Sequence, residues 1–163
     1  MTITKEFDFL CIGSGPAGQR AAVQAAKLGL RVAVIEKRLA VGGTCVVSGT
    51  IPSKTFREAV LSLNASQQKR DTLGFQSVSP PSMGELLDKV GHMVGLESQI
   101  VENQLGRNNI TLIRGDAFFK DPHTIEVRSG VDTIFLRANH ILIAVGTIPA
   151  HTPGICTDGQ VII

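Results

Sequence analysis

The sequence predicts an α/β fold in three layers, with a parallel sheet in the middle and a β-meander packed against it. Near the start, two short stretches are continuously apolar and bounded by glycines, as strands buried on both faces are. Between them, small apolar residues recur at helical spacing. Beyond Ile110, strand-like stretches follow one another with turn residues between them, which marks a meander. At 163 residues the chain is long enough for one domain with a real core.

The first strand is read in "FDFLCIGSG", where Cys11 is expected to be a small buried hydrophobe. "PAGQRAAVQAAKLG" is the first helix: Ala17, Ala21, Ala25 and Leu28 share a face, Pro16 stands at its start and Gly29 past its end. "RVAVIEK" is the second strand. "PSKTFREAVLSLNASQQKR" places Phe56, Ala59, Val60 and Leu63 on one helical face, with Pro52 at the entrance. A Ser/Pro stretch, "QSVSPPS", interrupts, and "MGELLDKVGHMVGLESQIVENQLGR" resumes the helical spacing with Met83 and Met93 as core filler. "ITLIRG", "TIEVRS" and "TIFLRANHILIAVG" are read as the meander returning to the parallel sheet, with Asp121-Pro122 as a turn.

Composition excludes several functions. A formal charge of +2 without a dense Lys/Arg block implies neither nucleic acid nor an anionic membrane surface. Trp and Tyr are absent, which removes the usual stacking platforms for single strands. "MTITKEF" opens without an apolar stretch, and no run reaches the length a bilayer needs. Cysteines at 11, 45 and 156 make no disulfide framework, so a cytoplasmic protein is expected. His92, His123, His140 and His151 lack a Cys, Asp or Glu companion at ligand spacing, and no metal is expected.

The turn after the first strand is Gly13-Ser14-Gly15-Pro16-Ala17-Gly18, a G-x-G-x-x-G. The first glycine permits the tight turn, the second lets the backbone approach a pyrophosphate, and the third lets helix and strand pack closely. The phosphates then meet a helix N-terminus, whose free N–H groups and dipole favour negative charge. Glu36 ends the second strand, placed to accept hydrogen bonds from a ribose diol. These residues specify a Rossmann-like dinucleotide site and leave NAD and FAD open, because both carry an adenosine diphosphate.

The stretch "VGGTCVVSGTIPSK", residues 41–54, narrows the choice. Gly42, Gly43, Thr44 and Cys45, then Thr50, Ile51, Pro52, Ser53 and Lys54, resemble the pyridine nucleotide-disulfide oxidoreductase family. There a G-G-T-C segment leads to a second cysteine and I-P-S-K, and the dinucleotide at the first G-x-G-x-x-G is FAD. Similarity continues through "IRGDAFFKDPHTIEV", like the family's adenine-contacting turn with Asp116 and Ala117. It extends to "HILIAVGTIPA", like its A-T-G motif with Ala144, Val145 and Gly146. The resemblance implies FAD held by Gly13, Gly15, Pro16, Ala17, Gly18, Glu36 and Lys37 on the adenosine diphosphate side. Gly43, Thr44, Cys45, Gly49 and Lys54 would hold the rest. It also implies that Lys54 is catalytic, its charge stabilising reduced flavin.

Thr50 departs from the family pattern, standing where the flavin-proximal cysteine would be. An alcohol forms no disulfide and no stable anion at neutral pH, so the dithiol relay is expected to be closed. Cys45 then becomes a packing residue. Among members of the family it resembles, a motif of this kind implies hydride transfer between NADPH and NAD through the flavin, without a redox-active disulfide. Open beside it stand a dihydrolipoamide dehydrogenase-like or quinone/metal reductase flavoprotein and a non-enzymatic flavin-binding module.

Family members continue into a second dinucleotide domain and a dimerisation domain. No second G-x-G-x-x-G occurs here, and "GQVII" gives no closing signal. The expectation is an N-terminal segment of a longer protein, a homo-oligomer at full length. Residues 1–150 would be its FAD-binding domain and 151–163 the start of a connection to an NAD(P)-binding domain.

Overall fold

The computed structural model describes residues 4–73, 79–148, 150 and 154. Strand β1 (Thr4–Ile12) leads through the glycine turn into helix α1 (Pro16–Lys27), and β2 (Val32–Glu36) follows. Pro16 is the first helical residue, and Gly29, with φ 85°, leads the chain away from the helix's end. A short helix α2 (Gly43–Val47) precedes two long ones, α3 (Thr50–Thr72) and α4 (Met83–Arg107). The chain then runs through β3 (Thr111–Arg114), β4 (Asp116–Asp121), β5 (Thr124–Ser129) and β6 (Asp132–Ile143).

The six strands form one sheet in the order β3-β2-β1-β6-β5-β4. Pairings β1 with β2, β1 with β6 and β2 with β3 are parallel, whereas β4, β5 and β6 pair antiparallel. "ITLIRG" is therefore not the meander's first strand. It is β3, at the parallel edge beside β2, and it gets there because α4 acts as a crossover returning the chain in the same direction. The meander begins with β4, whose charged ends and exposed Phe118 and Phe119 hide it from periodicity.

Alternate residues of β1 and β2 feed two cores, which is why both strands are apolar throughout. On one face Cys11, Val32 and Val34 pack with Ala22 and Ala25 of α1 and Val101 and Leu105 of α4. On the other, Leu10, Ala33 and Ile35 pack with Ile125, Val127 and Leu136 of the meander. Helices, parallel sheet and meander are the three expected layers. Cys11 is fully buried as expected, its Sγ 3.5 Å from the Gly18 carbonyl oxygen, and burial pushes its thiol up to about 12.

Helix α3 packs along α4, with Phe56, Ala59, Val60 and Leu63 half-buried. Ser82 and Glu85 form a capping box at the start of α4, Ser82 Oγ accepting from the Glu85 amide and Glu85 Oε2 from the Ser82 amide. Met83 is not core filler. It is the first residue of α4 and is 61% exposed, because the helix enters the core only from Leu86; Met93 is half-buried. Asp121-Pro122 is a turn, with Asp121 Oδ1 accepting from the His123 amide at 2.8 Å. Among the described residues no helix is long and apolar enough to cross a membrane. His151 and Cys156 lie outside the described residues, as does most of the 151–163 connection.

Candidate functional site

Parallel pairing brings the C-terminal ends of β1, β2, β3 and β6 to one side of the sheet, where open α/β folds bind ligands. Three backbone bonds lock those ends together: Gly13 N to Ile35 O at 2.8 Å, Ala144 N to Ile12 O at 2.8 Å and Gly115 N to Glu36 O at 3.1 Å. Above them opens a cavity of about 880 Å³ lined by residues 12–17, 35–38, 43–45, 115–117 and 144–148. The ends of four parallel strands and the start of the meander thus share one wall.

The three motif glycines differ in what demands them. Gly13 has φ 105°, and a β-carbon there would strike the Ala144 carbonyl. A β-carbon on Gly18 would strike the Gly13 carbonyl. Gly15 is different. Its backbone is ordinary, φ −65° and ψ 176°, and a β-carbon would find its nearest atom 4.0 Å away. The fold does not need glycine there, so what the missing side chain leaves free is the approach to the cavity. Gly15 is also the N-cap of α1 and no side chain caps that helix, so its first-turn N–H dipoles are available to an anion.

Glu36, 8% exposed, ends β2 inside this wall. Its Oε2 accepts from the Ser14 hydroxyl at 2.6 Å and the Ser14 amide at 3.0 Å, and its Oε1 accepts from the Arg38 amide at 2.9 Å. Burial alone would raise this carboxyl. Donation from the Ser14 hydroxyl, the Arg38 amide and the Ser14 amide, with the Arg38 charge, outweighs burial and holds it below its ordinary value. A carboxylate offers about four acceptor positions. One on Oε1 is left, enough for a ligand hydroxyl.

The loop from β2 to α2 is held by buried hydroxyls. Ser14 Oγ accepts from the Gly42 amide at 3.2 Å, and Ser98 Oγ, from α4, accepts from the Val41 amide at 2.9 Å. Arg114 donates to the Arg38 carbonyl at 2.8 Å while ion-paired with Glu102. Gly43 then meets Gly15 so closely that a β-carbon on it would lie 2.7 Å from Gly15 Cα.

Of the residues expected to hold the cofactor, Gly13, Gly15, Pro16, Ala17, Glu36, Lys37, Gly43, Thr44, Cys45, Asp116, Ala117, Ala144, Val145 and Gly146 share this wall. Gly18 lies behind it against Gly13. Gly49 donates its amide to the Thr44 carbonyl at 2.6 Å, and Lys54 is exposed on α3; neither lines the cavity. Thr50 is the first residue of α3 and Cys45, half-buried in α2, is a free thiol. Sequence reading missed Ser14, Arg38 and Gly115. Only Gly115 had a usable signal, a glycine between strands: its φ is 144° and a β-carbon would lie 2.5 Å from the Arg128 carbonyl oxygen. Among the described residues no three His, Cys, Asp or Glu side chains converge on a metal position.

Known proteins agree with this architecture. The chain is 42% identical over 160 residues to a soluble pyridine nucleotide transhydrogenase of Mycobacterium bovis, covering 96% of this chain and 34% of that protein. It is 40% identical over 147 residues to one of Hahella chejuensis, covering 88% and 31%. The chain therefore spans about a third of the length of the curated relatives it matches. A solved Cu(II) complex of the HOCl-induced flavoprotein disulfide reductase RclA from Escherichia coli superposes with a TM-score of 0.72 at 26% identity, covering 91% of this chain and 30% of that one. With residues 7–161 matching the family described as pyridine nucleotide-disulphide oxidoreductase, the chain belongs to that family.

Proposed function

We propose that this chain is the FAD-binding part of a flavoprotein that transfers hydride between NADPH and NAD, a transhydrogenase working in the cytosol. The observation that carries the proposal is Gly15: a bare backbone at an uncapped helix start that the fold itself does not require. The wall fits a flavin dinucleotide. A pyrophosphate over Gly15 gains from the α1 dipole, worth about 0.3–2 kcal/mol per anionic group depending on burial. The free acceptor position on Glu36 takes a ribose hydroxyl, Asp116 and Ala117 bound the adenine side, and Gly43, Thr44 and Cys45 bound the side toward the flavin. Lys54, on α3, is the cation we assign to the isoalloxazine.

FAD, when bound, supplies reversible hydride chemistry between two nicotinamide nucleotides. The chain's own contribution is to bind, orient and keep the Glu36 carboxylate ionised. The identity to transhydrogenases supports this reading, as does Thr50, an alcohol that gives Cys45 no disulfide partner five residues on. The test is made on the full-length protein. It should purify yellow and pass hydride from NADPH to a thionicotinamide analogue of NAD while leaving lipoamide and glutathione disulfide unreduced. Colourless protein that takes up no FAD would overturn the cofactor assignment, and efficient lipoamide reduction would overturn the transhydrogenase assignment.

A further inference from the structure

We infer that Ser14, between the first two glycines of the motif, is a positioning residue whose hydroxyl ties the Glu36 carboxylate to the Gly42-Gly43 turn. Its service to a flavin nucleotide rests on the function proposed above, but the tie itself does not. Ser14 is fully buried although its side chain is polar. Its Oγ donates to Glu36 Oε2 at 2.6 Å and accepts from the Gly42 amide at 3.2 Å. A hydroxyl donates to the carboxylate and accepts from the N–H through one atom, which a methyl group cannot do.

The geometry shows what the tie does. Gly42 has φ 115°, and a β-carbon there would overlap the Val46 side chain, so the turn accepts no side chain at this position. Gly42 fixes Gly43, and Gly43 abuts Gly15. The chain of contacts runs from the carboxylate at one end of the cavity, through the serine, to the backbone beside Gly15. Two backbone bonds hold the serine in turn: its amide donates to Glu36 Oε2 at 3.0 Å, and its carbonyl accepts from Gln19 Nε2 at 2.7 Å. With alanine at this position the Gly42 N–H would be left buried and unpaired, and Glu36 would lose its shortest bond.

Hydrogen exchange at single-amide resolution, on the full-length protein without added nucleotide, tests the tie directly. The Gly42 amide, whose partner is a side chain, should be protected in the wild type. In Ser14→Ala it should exchange about tenfold faster, as loss of one buried hydrogen bond implies, while β1 and β2 amides stay unchanged. Ser14→Cys, nearly isosteric but a poor acceptor, should also speed Gly42 exchange and serves if the alanine variant does not fold. Ser14→Thr, which keeps the hydroxyl, should restore protection. Gly42 exchange equal to wild type in both Ala and Cys variants overturns the inference.

A double-mutant cycle of Ser14→Ala with Glu36→Gln, read as FAD affinity, adds a second arm. Ser14→Ala should weaken binding about tenfold and Glu36→Gln about ten- to a hundredfold, and together they should weaken it by less than the product, because both cut the same link. Strictly multiplicative losses would overturn the inference. If the wild type binds no FAD while Gly42 still loses protection in Ser14→Ala, the cofactor reading falls and the tie stands. If FAD binds wild type and variant alike and Gly42 stays protected, the tie falls and the cofactor reading stands.

Discussion

Glu36, at the end of β2, and Glu126, in the middle of β5, are both almost wholly buried, one at the cavity and one in the meander. Glu126 is paired with two cations, Lys120 Nζ at 2.6 Å and Arg128 Nε at 2.6 Å, and the Arg128 guanidinium lies 4.4 Å from the centre of the Phe118 ring. These partners, Arg128 first and then Lys120, hold its carboxyl below the usual value. Glu36 instead takes its bonds from a hydroxyl and two amides. Two cations neutralise the Glu126 carboxylate, and its pairing with Lys120 ties β4 to β5. Neutral donors leave the charge in place and an acceptor position open, as a binding group needs.

The comparison breaks most visibly if the cavity holds nothing. Gly15→Ala should weaken FAD binding sharply, read as loss of the flavin spectrum in full-length protein, while circular dichroism and the melting temperature stay near wild type because the fold leaves room for that β-carbon. Unfolding of this variant would show that Gly15 serves the fold. The same substitution at Gly18, which abuts the Gly13 carbonyl, should unfold the protein and gives the contrast.

Substituting each carboxylate sharpens the comparison further. Glu36→Gln should weaken FAD by about ten- to a hundredfold, the worth of a hydrogen bond to a charged group, with a small change in melting temperature. Glu126→Gln should lower the melting temperature and leave FAD affinity unchanged. Acid titration follows with a smaller effect. Both carboxyls are depressed in the fold, so each contributes stability that is full above its unfolded value of 4.5 and is lost as pH falls through the folded value. Removing either should flatten the acid limb of stability, but only Glu36→Gln should flatten the acid limb of FAD affinity.

Cys11 is the baseline, a buried titratable group with no charged partner and a thiol pushed to about 12 by burial. Iodoacetamide should leave it unmodified in native protein and label it once denaturant is added, as peptide mass spectrometry would show. Because its folded value is raised, the stability it contributes is full below its unfolded value of 9.0 and declines as pH rises above that.

The βαβ start was legible because its signals are local: glycines at fixed offsets, Pro16 at the helix entrance, and a Glu36 whose place follows from strand length. The position of β3 was not, since strand order is decided by where a 25-residue helix sets the chain down. Nor was β4, whose inward residues are few and whose ends are charged. In the site, Ser98 could not be found from sequence: its bond to Val41 spans 57 residues, and a serine within a helix reads as surface. Ser14 was hidden in another way. Sequence patterns treat its position as free, whereas its two bonds exist only once β2 and the following loop have come alongside.

β6 carries a consequence for how the molecule is made. Thr4 is paired with Phe135 and Ile12 with Ile143, so β1 gains its second neighbour only after nearly all of the described chain has left the ribosome. Until then β1 presents an open edge, with β2 alone beside it, to whatever else is near. Pairing over such a sequence distance is slow, because a long loop must close before any contact rewards it. Residues 144–148, the last wall of the cavity, come later still. A ligand that needs this wall cannot template the early steps; it can only stabilise the finished unit by mass action.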